Sequence, residues 1–108
     1  MIILGIDPGL VKTGYGIIKV KNNDYRILDF GIVCPNRKGK LSERLSTIYN
    51  DLSLIVDRFK PNILSIEEVF FGKNVKSALL LGHARGVSML CAANNNMPVF
   101  EYSARKIK

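Results

Sequence analysis

Residues 2–7, Ile-Ile-Leu-Gly-Ile-Asp, constrain the fold of this 108-residue chain more than any other stretch. Ile2, Ile3, Leu4 and Ile6 form a nearly continuous apolar run rather than an alternating one, the pattern of a strand covered on both faces. Such a strand belongs in the middle of a sheet. It ends on a carboxylate, Asp7, followed by Pro8 and Gly9, which turn the chain. A charged side chain at the end of a central strand is costly unless it is paired or binds a metal.

The rest of the chain supplies a sheet around that strand. Residues 14–20 and 25–34 read as two further strands, joined by Lys21, Asn22, Asn23 and Asp24, which is hairpin-turn chemistry. The three strands predict an antiparallel meander. Leu41, Leu45, Ile48, Leu52, Ile55 and Val56 recur at helical spacing, with Ser42 as N-cap, Glu43 in the first turn, and Pro61 and Asn62 as the stop. Residues 63–67 read as a short buried strand. Asn74 caps a second helix that runs to about residue 94 and is apolar nearly all round, so it is expected inside a core or a subunit interface. Gly82 and Gly86 share one face of it, where a close helix contact would justify their low helix propensity. Residues 98–102 form a fifth strand. The order βββ-α-β-α-β specifies an α/β fold, a mixed five-stranded sheet flanked by helices, in a single domain over residues 1–108.

Composition narrows the class. Apolar residues make up 47% and charged residues 23%, which fits a globular domain and not a disordered one. The net charge of +7 suits a polyanionic partner, of which nucleic acid is the commonest. Cys34 and Cys91 have neither CxxC nor zinc-site spacing and read as reduced core residues of a cytosolic protein. No apolar run reaches membrane-span length and the N-terminus has no signal-peptide pattern, so the expected location is the cytoplasm.

Among the nine acidic residues, Asp7 and Glu67 stand apart, because each closes an apolar strand. Asp29 is expected to point outward, and Glu101 to end the last strand. If the first and fourth strands are neighbours, Asp7 and Glu67 stand side by side at one end of the sheet. Two like charges so placed repel, and a divalent cation is the natural counterweight. Oxygen donors of this kind suit Mg²⁺ or Mn²⁺ rather than Zn²⁺. The plainer alternatives are a turn-forming Asp before Pro-Gly and a salt-bridged strand-end Glu. Gly9 and Gly14 leave room near Asp7 for an approaching group such as a phosphate. Phe70 and Phe71 follow the fourth strand as either core or stacking residues.

Three segments, GIDPGLVKTGYGII, IEEVFFGKNVKSALLLGHARG and PVFEYSARKIK, resemble the RuvC family of Holliday junction resolvases in spacing and order over the whole chain. The resemblance implies an RNase H-like fold and a homodimeric, Mg²⁺-dependent crossover junction endodeoxyribonuclease. Such an enzyme resolves four-way DNA junctions by symmetric nicks in recombination and repair. It implies two metal ions in the complete site, with Mn²⁺ able to substitute, and partners of the RuvA and RuvB branch-migration type. By matched position, Asp7 and Glu67 are the catalytic, metal-binding carboxylates, and Glu68 falls at a variable position. Phe70 matches an aromatic that the family places against DNA bases, with Phe71 beside it, and Lys106 and Lys108 match a basic segment near DNA; Lys73, Asn74 and Lys76, at a helix N-terminus, suit a DNA phosphate, while Arg85 reads as a support of the fold or the dimer and His83 as a helix-surface or interface residue. The family pattern continues beyond Lys108 into a C-terminal helix with further acidic residues. The domain is therefore expected to be truncated, to lack that helix, and to expose apolar surface on one side of its sheet. The competing reading is a non-catalytic junction-binding or dimerisation fragment of the same fold. An actin-like phosphate-binding lobe is a third, which a chain without a second lobe does not favour.

Overall fold

The computed structural model describes residues 1–68 and 74–102. Five strands, β1 (Ile2–Asp7), β2 (Thr13–Lys21), β3 (Asp24–Val33), β4 (Ile63–Glu67) and β5 (Val99–Tyr102), form one sheet in the order β3-β2-β1-β4-β5. Helix α1 (Leu41–Phe59) precedes β4 and helix α2 (Val75–Asn94) precedes β5. The expected order of elements is present, and β1 is central. It pairs antiparallel with β2 and parallel with β4, so the sheet is mixed.

Local chemistry accounts for the connections. Asn22 and Asn23 have φ of 51° and 69°, the two left-handed residues of a tight hairpin turn between β2 and β3. Leu28 is bulged out of that hairpin, since Ile17 pairs with Asp29 and Ile18 with Ile27. The N-cap of helix α1 lies two residues before the expected one. Lys40 is its N-cap, and Glu43 reaches back to accept from the Lys40 backbone N–H at 2.9 Å, which leaves Ser42 inside the first turn. Lys60, at φ 51°, closes the helix in the left-handed conformation before Pro61. The expected cap of α2 is found: Asn74 Oδ1 accepts from Ser77 N–H at 3.1 Å.

Both helices pack on one face of the sheet. Leu4, Ile6, Ile17, Val33, Leu64 and Ile66 point toward Ile48, Leu52 and Val56 of α1 and Ala84, Cys91 and Ala92 of α2. The alternate residues form the opposite face. There Ile27, Phe30, Ile32 and Phe100 are all more than half exposed, the apolar surface expected on one side of the sheet. Thus β1 is central, yet among the described residues only one of its faces is covered.

Three further expectations change. Helix α2 is buried only along Ala78, Ala84, Ser88, Cys91 and Ala92, while Val75, Leu79 and Leu90 face outward. A side chain at Gly82 or Gly86 would meet no atom within 4 Å, so no close contact inside the described residues requires these glycines. Cys34 is exposed and only Cys91 is a core thiol; burial pushes the Cys91 pKa up, against a hydrogen bond with Ser53.

Candidate active site

The register of the sheet assembles the site. On the open face, Ile32, Gly14 and Asp7 lie in one row across β3, β2 and β1. The parallel pairing of Ile6 with Ile66 places Glu67 next to Asp7, and Glu67 pairs with Tyr102 of β5. The row therefore reads Ile32, Gly14, Asp7, Glu67, Tyr102. The row beneath it reads Phe30, Gly16, Gly5, Ser65, Phe100. Its centre has almost no side-chain bulk. The result is an open groove of about 350 Å³ lined by Asp7, Gly14, Gly5, Gly16, Ser65 and Tyr102.

The turn after β1 is held from within. Thr13, fully buried, donates its hydroxyl to the Gly9 carbonyl at 2.7 Å and accepts from the Gly9 N–H at 3.1 Å. A Cβ on Gly9 would sit 2.4 Å from the Lys12 carbonyl oxygen. Gly9 is thus small because its own turn closes over it, and its N–H is taken by Thr13; it does not serve an approaching phosphate. Gly14 fits its expected part better, since a Cβ there would lie 3.8 Å from that of Asp7.

The end of β4 is fixed from the helix side. Arg85 of α2 donates Nε–H to the Glu67 carbonyl oxygen at 3.0 Å and pairs with the Glu101 carboxylate. Glu101 pairs in register with Ile66, so it faces the helices and turns away from Asp7 and Glu67. Asp29 is not outward-pointing either. It is half-buried and accepts from the Tyr15 hydroxyl at 3.0 Å. Sequence reasoning missed Thr13 and Tyr102 altogether. The strand period places Tyr102 on the side of Glu67 only once the β4–β5 register is known.

The electrostatics follow the rows. Among the described residues the one ion pair joins Arg85 and Glu101, so neither Asp7 nor Glu67 has a protein cation at ion-pair distance. Burial pushes the Tyr102 phenol above its ordinary pKa of 10.0, and the charges of Glu67 and Asp7 push it the same way. Two neighbouring carboxylates, one of them lining the groove, with no ion-paired cation among the described residues, are a donor set that fits a hard divalent cation. No group of three His, Cys, Asp or Glu is assembled among the described residues, which bring two carboxylates together here. Of the other site residues expected from sequence, Asn74 and Lys76 are exposed at the N-terminal end of α2. Phe70, Phe71, Lys73, Lys106 and Lys108 lie outside the described residues.

Comparison with known proteins identifies the family and the fold. The family model described as crossover junction endodeoxyribonuclease RuvC matches residues 3–108. The RuvC of Alkaliphilus oremlandii is 50% identical over 108 residues, and that of Ruminiclostridium cellulolyticum 44% identical over 108 residues. Both alignments take in the whole chain, which spans 66% and 65% of the lengths of those two relatives. A solved structure of T. thermophilus RuvC in complex with a Holliday junction substrate superposes with a TM-score of 0.91 at 28% identity, covering all of this chain and 68% of that one. The sheet order, the paired helices and the RNase H-like architecture are shared. With a family model that matches residues 3–108 of the chain and relatives at this identity, the chain belongs to the RuvC family.

Proposed function

We propose that the chain is the nuclease domain of a metal-dependent endonuclease that recognises four-way DNA junctions and resolves them by symmetric nicks, in recombination and repair. The carrying observation is the juxtaposition of Asp7 and Glu67 in one row of the sheet, beside a groove that Asp7 lines and with no cation paired to either among the described residues. Mg²⁺, with Mn²⁺ as substitute and two ions in the complete site, would be held by these two carboxylates. A bound divalent cation supplies positive charge for attack of water on phosphorus and for the departing 3′ oxygen. The chain supplies the rest. Central strands β1 and β4 fix both carboxylates, and Arg85 holds the Glu67 backbone in place. The low floor of Gly5, Gly16 and Ser65 admits the DNA backbone.

The net charge of +7 supports binding to that polyanion. Lys76 and Asn74 stand where the N-terminus of α2 favours a phosphate, although the Asn74 oxygen is committed to its cap and only its amide N–H₂ is open to DNA. Phe70, Phe71, Lys73, Lys106 and Lys108 are proposed DNA contacts on the family resemblance. Leu79, His83, Gly86 and Leu90 form an exposed stripe at spacings of four, three and four along α2, which supports a homodimer packed through this helix. Branch-migration proteins of the RuvA and RuvB type are the proposed further partners. No helix of the described residues is long and apolar enough to cross a membrane, and the cytoplasm is the proposed location on the junction-nuclease reading.

The test is nicking of a labelled four-way junction beside a linear duplex of the same sequence, in Mg²⁺ and in EDTA. Paired nicks on the junction alone, abolished by EDTA, by Asp7→Asn and by Glu67→Gln, are expected. Equal cutting of both substrates overturns junction selectivity. Junction binding with no nicks under any divalent ion favours the non-catalytic reading.

A further inference from the structure

Tyr102 ends β5 on the groove side of the sheet. It pairs in register with Glu67 and lines the same groove as Asp7 and Gly14. Its position follows from the strand period: Val99 and Glu101 take the helix side, and Phe100 and Tyr102 the open side. Glu101 is consumed by Arg85, so the neighbouring acid is removed from the site while the phenol is turned into it. Tyr102 is half-buried, between Glu67 and the outer edge of the sheet. A phenol is protonated at neutral pH and carries one O–H donor. The two carboxylates can only accept. Tyr102 thus adds to this row a neutral donor for a phosphate oxygen at the edge where a DNA strand would enter.

We propose that Tyr102 is a substrate-contacting residue of the active site, whose hydroxyl donates a hydrogen bond to a non-bridging oxygen of the scissile phosphate. This rests on the junction-nuclease reading above and extends it to a residue outside the acidic set. The hydroxyl keeps its proton throughout and forms no covalent bond to phosphorus. A donor to a charged phosphate contributes mostly once the phosphate is seated, so its loss shows in the cleavage step more than in junction affinity.

The experiment uses the chain with its four tyrosines replaced by 3-fluorotyrosine and the Tyr102 signal assigned from Tyr102→Phe. Fluorine NMR is recorded as a four-way junction is added in Ca²⁺, and single-turnover nicking is measured in Mg²⁺ for wild type and Tyr102→Phe. The Tyr102 resonance is expected to move on junction binding, while Tyr49, which is bonded to Asn94 between the helices, stays in place. Tyr102→Phe is expected to bind the junction within about twofold of wild type and to nick about 10- to 100-fold more slowly. A Tyr102 signal that stays unmoved with the junction bound overturns the assignment, as does full-rate nicking by Tyr102→Phe. A wild-type chain that neither binds nor nicks junctions overturns the functional reading instead, and the assignment with it.

Discussion

Thr13 and Tyr15 shape the site from two adjacent odd positions of β2, both on its helix side. Replacing Thr13 with Val keeps the volume but leaves the half-buried Gly9 N–H and carbonyl without their partner. The expected cost is about 1–3 kcal/mol, read from denaturant midpoints at constant m-value. Gly9→Ala is expected to cost a similar amount, because its Cβ collides with a backbone oxygen that cannot swing aside. Tyr15 gives a pH test. Burial raises its pKa above 10.0, helped by the Asp29 hydrogen bond and charge and opposed by Arg58. The folded state therefore prefers the neutral phenol. That contribution is complete below pH 10.0 and is lost as pH rises through the higher folded value. Melting temperatures between pH 8 and 12 should show Tyr15→Phe less stable than wild type at pH 8, with the gap closing at the alkaline end. A constant gap across that range contradicts the assignment. At this scale the sequence made Asp7 and Glu67 legible, since a charge ending an apolar run is visible in one dimension. Thr13, Tyr102 and the true partner of Asp29 were not, because each depends on cross-strand register.

Among the elements, α1 and the β2–β3 hairpin were readable because their signals are local: a 3.6-residue apolar period, and two Asn residues suited to positive φ. Helix α2 reads as apolar nearly all round, for a core or a subunit interface, and the sequence does not separate the side the fold buries from the exposed one, since its outer leucines carry the same apolar signature as its core alanines. Arg85 is the hinge pin of this region, joining α2 to the ends of both β4 and β5. Arg85→Ala should destabilise the fold by roughly 1–2 kcal/mol, a figure discounted because Glu101 is partly exposed. It should also weaken divalent-ion binding at Glu67, whose backbone carbonyl it releases; an unchanged Mn²⁺ affinity argues against that coupling. The exposed stripe on α2 makes a separate prediction. Leu90→Glu should shift the protein from dimer to monomer in light scattering at micromolar concentration while leaving its circular dichroism intact. A monomeric wild type at high concentration contradicts packing through this helix.

For the whole molecule, the sheet separates two tasks. One face, with both helices, holds the core; the other carries a row containing Asp7, Glu67 and Tyr102, a low row of Gly16, Gly5 and Ser65, and apolar residues around them. The element order disclosed this architecture in outline. It did not disclose which face would be open, because β1 reads as apolar on both. The account's central claim is that Asp7 and Glu67 act as one cation site. Mn²⁺ titration followed by electron paramagnetic resonance, on wild type, Asp7→Asn and Glu67→Gln, tests it most directly. The account predicts specific binding in wild type that either substitution weakens by at least tenfold, with the fold retained in both. Mn²⁺ affinity that survives both substitutions unchanged would contradict it.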